Sequence, residues 1–191
     1  MEISTIGAVV SCVSAVMNIV KAISDGRIRI KDRITEREIE LIKEFSRISE
    51  LVRSLAEFFN DISIAAGQVH ILTNKITEII TSKEAVLKGD DGEKKDHQWE
   101  IITMQLNNLD SPVKDVQSIS RRNPLQSSRR MGEIGSLSEQ LSKKHDIAMA
   151  NCLSKDFNLL RNTCTDASRL GNEIKALALS SFHELMNSYI Y

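Results

Sequence analysis

Residues 35–62 read TEREIELIKEFSRISELVRSLAEFFNDI, and the order of the apolar positions within them decides the fold class. Thr35 with Glu38 has the form of a capping box, a signature of a helix start. Leu41, Phe45, Ile48, Val52, Leu55, Phe59 and Ile62 then follow in steps of four and three. A helix turns once per 3.6 residues, so this spacing gathers all seven on one stripe, the heptad seam of a packed helix. The spacing shifts at Ile62 and resumes through Ala65, Val69, Leu72, Ile76 and Ile79. That shift predicts either a stammer or a break near Gly67, within a long helix reaching about Leu87. Gly89, Asp90, Asp91, Gly92, Glu93, Lys94 and Lys95 then read as a solvated hairpin loop, since paired glycines and clustered charge resist burial.

Further along, Ile102, Leu106, Leu109, Val113 and Val116 form a third stripe from about His97 to Ser120. Asp110, Ser111 and Pro112 predict a kink or short break inside it. Arg121 to Arg130 combine Pro124, Asn123, two serines and four arginines, the strongest linker signal in the chain. Ile134, Leu137 and Leu141 lead into a last seam: Phe157, Leu160, Cys164, Ala167, Gly171, Ile174, Ala178, Ser181 and Leu185. Its small residues let a neighbouring helix approach closely. The expected architecture is all-α: an elongated, mostly antiparallel bundle of four or five helices forming a single domain over residues 1–191. Breaks are expected at 25–34, 88–97 and 121–130.

Composition agrees. A chain of 191 residues, 41% hydrophobic and 27% charged, buries a core without staples, and two prolines with eight glycines leave little material for a turn-rich β fold. Twenty-five basic against 26 acidic residues give a net charge of -1, which removes the global electrostatic case for nucleic acid. Cys12, Cys152 and Cys164 are too few and too scattered for a disulfide framework or a zinc site, and fit a reducing, cytoplasmic setting.

At the N-terminus, Ile3 to Val20 is a run of 18 residues without charge. Its length reaches the lower edge of a membrane span, but Ser4, Thr5, Ser11, Ser14 and Asn18 make it a poor constitutive anchor. A signal peptide would need positive charge ahead of the apolar run, where only Glu2 stands. Wound as a helix, the segment sets Ser4, Gly7, Ser11, Ser14, Asn18 and Lys21 on one side. Ile6, Val9, Val13, Val16, Met17, Val20 and Ile23 fill a wide aliphatic face. Periodicity fits a buried central helix of the bundle as well as one that enters lipid. Gly26 caps it, and Arg27, Arg29, Lys31 and Arg33 alternate with aliphatic residues in a basic connector. That connector reads as a solvated linker or as a site for lipid headgroups.

Chemistry is sparse. None of His70, His97, His145 and His183 has Glu three residues before it, and HExxH, CxxC, a nucleophile elbow and a phosphate-cradling glycine loop are all missing. No catalytic residues, no metal and no cofactor are expected, and the protein is not expected to be an enzyme.

The opening pattern, Ile6, Gly7, Val9, Val10, Ser11, Val13, Ser14, Val16, Ile19 and Val20, resembles the first helix of HeLo and HeLo-like domains and their prokaryotic Bell counterparts. These are helical cell-death effectors. The resemblance covers Met1 to about Ile30, and the remainder only as a helical bundle. It implies a cytoplasmic bundle, held inactive until it oligomerises, whose first helix then disturbs or enters a membrane. Ile6, Val9, Val13, Val16 and Val20 are the expected insertion residues, with Arg27, Arg29, Lys31 and Arg33 on anionic headgroups. About 1 kcal/mol per basic residue gives a recruiting energy of roughly 4 kcal/mol, and apolar insertion supplies the rest. The partners expected are anionic lipids on activation, further copies of the chain and a regulatory protein. The long heptad seams, and the lack of a C-terminal amyloid-signalling repeat, depart from the family pattern. A second expectation, of another class, is a helical scaffold or adaptor that binds a partner helix through the Leu41–Ile62 or Phe157–Leu185 seam.

Overall fold

The computed structural model describes residues 36–122 and 129–190. Among them every element is a helix: α1 is Glu36–Ser82, α2 Glu84–Lys88, α3 Gly92–Arg121, α4 Arg129–Leu153 and α5 Phe157–Ile190. The chain is an all-α helical bundle, as its heptad spacing predicts. It divides inside α1 into two compact units, residues 1–60 and 61–191. The expected break at 25–34 lies outside the described residues.

α1 is unbroken through Gly67, and its seam does not stammer. The buried positions after Ile62 include Ala66, Val69, Thr73, Ile76 and Ile80, still in steps of four and three, with Ser63 and Ala65 buried beside them. Thr73 hides this continuity in the sequence. Its hydroxyl donates to the Val69 carbonyl at 2.7 Å, so a polar residue occupies a core position at little cost. Of the residues that imply a shift, Ala65 is buried but Leu72 and Ile79 are only half-buried.

The hairpin loop is shorter than its charge suggests. α1 ends at Ser82, α2 adds one turn, and α3 begins at Gly92 rather than near His97. Asp91 caps α3 by accepting from the Lys94 amide at 3.2 Å, an aspartate N-cap that clustered charge conceals. Pro112 lies inside α3, which continues to Arg121 without the expected break.

Within residues 61–191 the helices run antiparallel. Partners along α4 and α5 pair in opposite order: Asn151 with Thr163, Lys144 with Asp166, Arg130 with Glu184. α3 meets the end of α4 in the same sense, through Thr103 with Cys152 and Asp96 with Lys155. Residues of α1 from Ala66 onward meet α5 through His70 with Ser168, while Glu84, opening α2, meets Arg161. The turn between α4 and α5 is a Schellman cap. The Asp156 amide donates to the Asn151 carbonyl, and Lys155 takes the left-handed conformation (φ 55°) usually left to glycine.

Each helix contributes one seam to this core. On α4 it is Met131, Ile134, Ser138, Leu141, His145, Ala148 and Cys152, and on α5 every expected position from Leu160 to Ser181 is buried. Phe157 and Leu185, at its two ends, are half-buried. Gly171 sets the α1–α5 approach, because a Cβ there would lie 3.0 Å from the Ala66 carbonyl oxygen and 3.2 Å from the His70 amide.

Candidate functional site

The residues expected to act on a membrane, Ile6, Val9, Val13, Val16 and Val20, and the basic set Arg27, Arg29, Lys31 and Arg33, lie outside the described residues. Among the described residues no helix is long and apolar enough to cross a membrane. What is described is the helix that follows them. In its first part the heptad residues Phe45 and Ile48 are about half exposed, and Leu51 is 38% exposed. Val52, Leu55 and Phe59, on the same stripe, are buried. Phe59 also meets the Phe58 ring edge-on, 5.4 Å between centroids.

Three other features carry polar chemistry, all within residues 61–191. The first joins Ser168, His70 and Asn74. Ser168 Oγ donates to Asn74 Oδ1 at 2.7 Å and lies 2.8 Å from His70 Nδ1, which also faces the Ser168 carbonyl at 3.1 Å. A hydroxyl has one proton, and it is given to Asn74. His70 Nδ1 therefore carries hydrogen and donates, and Nε2 accepts from Asn74 Nδ2 at 3.3 Å. In a serine nucleophile the hydroxyl gives its proton to imidazole. Here the direction is reversed, and the trio is a polar clip at the close crossing of α1 and α5. The sequence separation of 98 between His70 and Ser168 leaves no motif from which it can be read.

The second is a groove of about 630 Å³ along α3, from Asp96 past Trp99, Thr103 and Met104 to Asn107, lined on its other side by Leu153 and Lys155. Lys155 Nζ bridges to Asp96 at 2.6 Å, and Leu153 is strongly exposed. The third is the buried pair Cys152 and Cys164. Burial, with the nearby Cys152 thiol, pushes Cys164 up to about 12, so it stays a neutral packing thiol. Among the described residues no three His, Cys, Asp or Glu side chains are grouped to hold a metal ion.

Several ion pairs lie at element ends. Lys88 and Arg161 share Glu84, and their hydrogen bonds and charge, Lys88's first, hold its carboxyl below the ordinary 4.5. Lys88 also sits 5.6 Å above the Phe157 ring. α2 is thereby fastened to the start of α5.

Compared with family models, curated proteins and solved structures, the chain matches none.

Proposed function

We propose that the protein is a membrane-acting effector of the cell-death or defence kind, whose N-terminal segment enters or disrupts an anionic membrane after the chain self-associates. The observation that carries this reading is the uncharged run of 18 residues from Ile3 to Val20, followed within residues 27–33 by four basic side chains. An apolar face next to a basic stretch is the arrangement by which amphipathic helices hold to anionic bilayers. Ile6, Val9, Val13, Val16 and Val20 enter the acyl region, and Arg27, Arg29, Lys31 and Arg33 meet the headgroups. The protein acts in the cytoplasm and moves to the membrane when activated. No reaction is catalysed and no cofactor is used.

Leakage from dye-loaded anionic liposomes tests this. Val9→Asp and Val13→Asp should each abolish leakage, because a carboxylate near the bilayer centre costs about 2.5–3.5 kcal/mol on insertion scales. Thermal stability measured alongside separates failed insertion from a damaged fold. Replacing Arg27, Arg29, Lys31 and Arg33 together with Gln should weaken liposome binding and reduce its sensitivity to salt. Wild-type protein that neither binds nor permeabilises anionic liposomes, even when forced to oligomerise, overturns the proposal.

A second reading, a non-enzymatic scaffold that binds a partner helix, is favoured by one observation, the exposure of Phe45, Ile48 and Leu51. The α5 seam offers it no support, since Leu160 to Ser181 are spent inside the bundle.

A further inference from the structure

Two pairs of arginines stand at one tip of the helices in residues 61–191. Arg121 ends α3 and Arg122 caps it, while Arg129 and Arg130 open α4, the antiparallel neighbour of α3. From Val116 to Gly132 the chain holds these four arginines and no acidic residue, whereas the rest of it carries 21 basic against 26 acidic residues. Arg130 is committed to Glu184 on α5, and Arg122 Nη2 donates to Ser118 Oγ at 2.9 Å. Arg121, Arg122 and Arg129 are exposed, and none has a carboxylate partner among the described residues. At the opposite tip cations and anions are interleaved: Lys88 and Arg161 share Glu84, Lys94 pairs with Asp91, and Lys155 with Asp96.

The helix dipole sharpens the contrast. The start of a helix is the positive end of its dipole and favours acidic side chains, as Glu84 in α2 and Glu93 in α3 illustrate. The first turn of α4 holds Arg129 and Arg130 and no acid. Arg129 therefore opposes the electrostatics of its own helix and has no carboxylate to offset it. Such a charge points to an anion outside the chain.

We infer that this tip is a docking surface for the anionic lipid headgroups of a membrane, with Arg121, Arg122 and Arg129 as its contacts. All three are arginine, whose planar fork matches the oxygens of phosphate and carboxylate two at a time. Their position suits a bilayer better than nucleic acid. They stand at the ends of two helices, where a flat surface can meet them, and not along a face that could track a phosphate backbone. α3 is about 45 Å long, so Asp96 and Glu100 near its start lie more than about 30 Å from a surface touched by the tip. That is several Debye lengths at about 0.1 M salt, and their repulsion is screened. The inference rests on the membrane reading for its partner, but it needs neither residues 3–20 nor the basic connector.

Co-sedimentation of the full chain with mixed phosphatidylcholine and phosphatidylserine vesicles tests the inference. The triple variant Arg121→Gln, Arg122→Gln, Arg129→Gln should bind on the order of 100-fold more weakly than wild type, about 5-fold for each arginine removed. Its helicity should not change, because all three side chains are exposed. A charge-matched control at the opposite tip, Lys83→Gln, Lys94→Gln, Lys95→Gln, should lose less than ~3-fold. Equal losses in the two triples overturn the inference, since net charge and not the tip would then govern binding. Unchanged binding of the arginine triple overturns it too. So does wild-type protein that binds a DNA duplex more tightly than vesicles at the same salt, with that binding lost in the arginine triple, which would make nucleic acid the partner. Leakage separates this surface from the N-terminal proposal. Wild type that binds through the tip without causing leakage leaves the docking surface standing and the insertion fallen, and leakage with binding indifferent to the arginine triple does the reverse.

Discussion

Before Val52 and after it, α1 carries one heptad stripe in two different surroundings. Phe45, Ile48 and Leu51 stand in solvent, whereas Leu55, Phe59, Ile62, Ala66 and Val69 are almost wholly buried. The residue types barely change across the boundary; Phe and Ile occur on both sides. A heptad states that a helix has a face to hide, and says nothing about where along it the cover begins.

The comparison is broken most forcefully by truncating side chains on either side of it. Leu55→Ala and Phe59→Ala should each cost about 2–5 kcal/mol in urea unfolding, since each leaves a cavity at a buried position. Phe45→Ala and Ile48→Ala should each cost no more than about 1 kcal/mol, the difference being loss of a filled cavity against loss of a surface contact. Equal costs on both sides would mean that the N-terminal part of the stripe is covered as fully as the rest.

A smaller effect separates two glycines at the α1–α5 crossing. Gly171→Val should destabilise by about 1–3 kcal/mol, because the new atoms meet the Ala66 carbonyl oxygen and the His70 amide, backbone that cannot yield without parting the helices. At Gly67 a Cβ would meet only the flexible Lys175 side chain at 3.7 Å. Gly67→Ala should therefore stabilise by about 0.5–1 kcal/mol, the entropy that glycine costs in a helix interior. Thermal melts of the two variants check the signs.

The weakest expected effect lies at the far end of the buried stripe, where Glu84 joins α2 to α5. Its carboxyl is depressed below 4.5 by Lys88 first and by Arg161 as well. A carboxyl depressed in the folded chain stabilises it above its ordinary value, and the contribution is lost as pH falls through the lowered one. Glu84→Gln should fall slightly below wild type in melting temperature at pH 7, with the gap closing as pH falls through the lowered value and the wild-type carboxylate loses its charge. A gap unchanged by acid would show that Glu84 acts through packing.

How much of the bundle was legible depended on whether its core residues look apolar. The α3 and α5 seams are built from residues such as Leu106, Val113, Leu160 and Ile174, and their spacing could be read directly. In α4, Ser138 and His145 occupy core positions, and Thr73 does so in α1. A hydroxyl returned to the preceding turn, as Ser138 Oγ to the Ile134 carbonyl at 2.7 Å, makes a polar residue an acceptable core residue, and hydropathy patterning then sees a gap. The Ser168–His70–Asn74 clip was illegible for another reason: its partners meet only because two helices cross.

The sequence by itself determined that the chain is helical, which stripes must be hidden, and that residues 3–20 are uncharged beside a basic connector, because periodicity and charge are local properties of a chain. Tertiary structure alone decided that the α1 seam runs on through Thr73, that Gly171 brings α5 against the α1 backbone, and that Phe45, Ile48 and Leu51 remain in solvent while their continuation is buried. Burial is a relation between segments distant in sequence, and spacing within one helix carries no record of its partner.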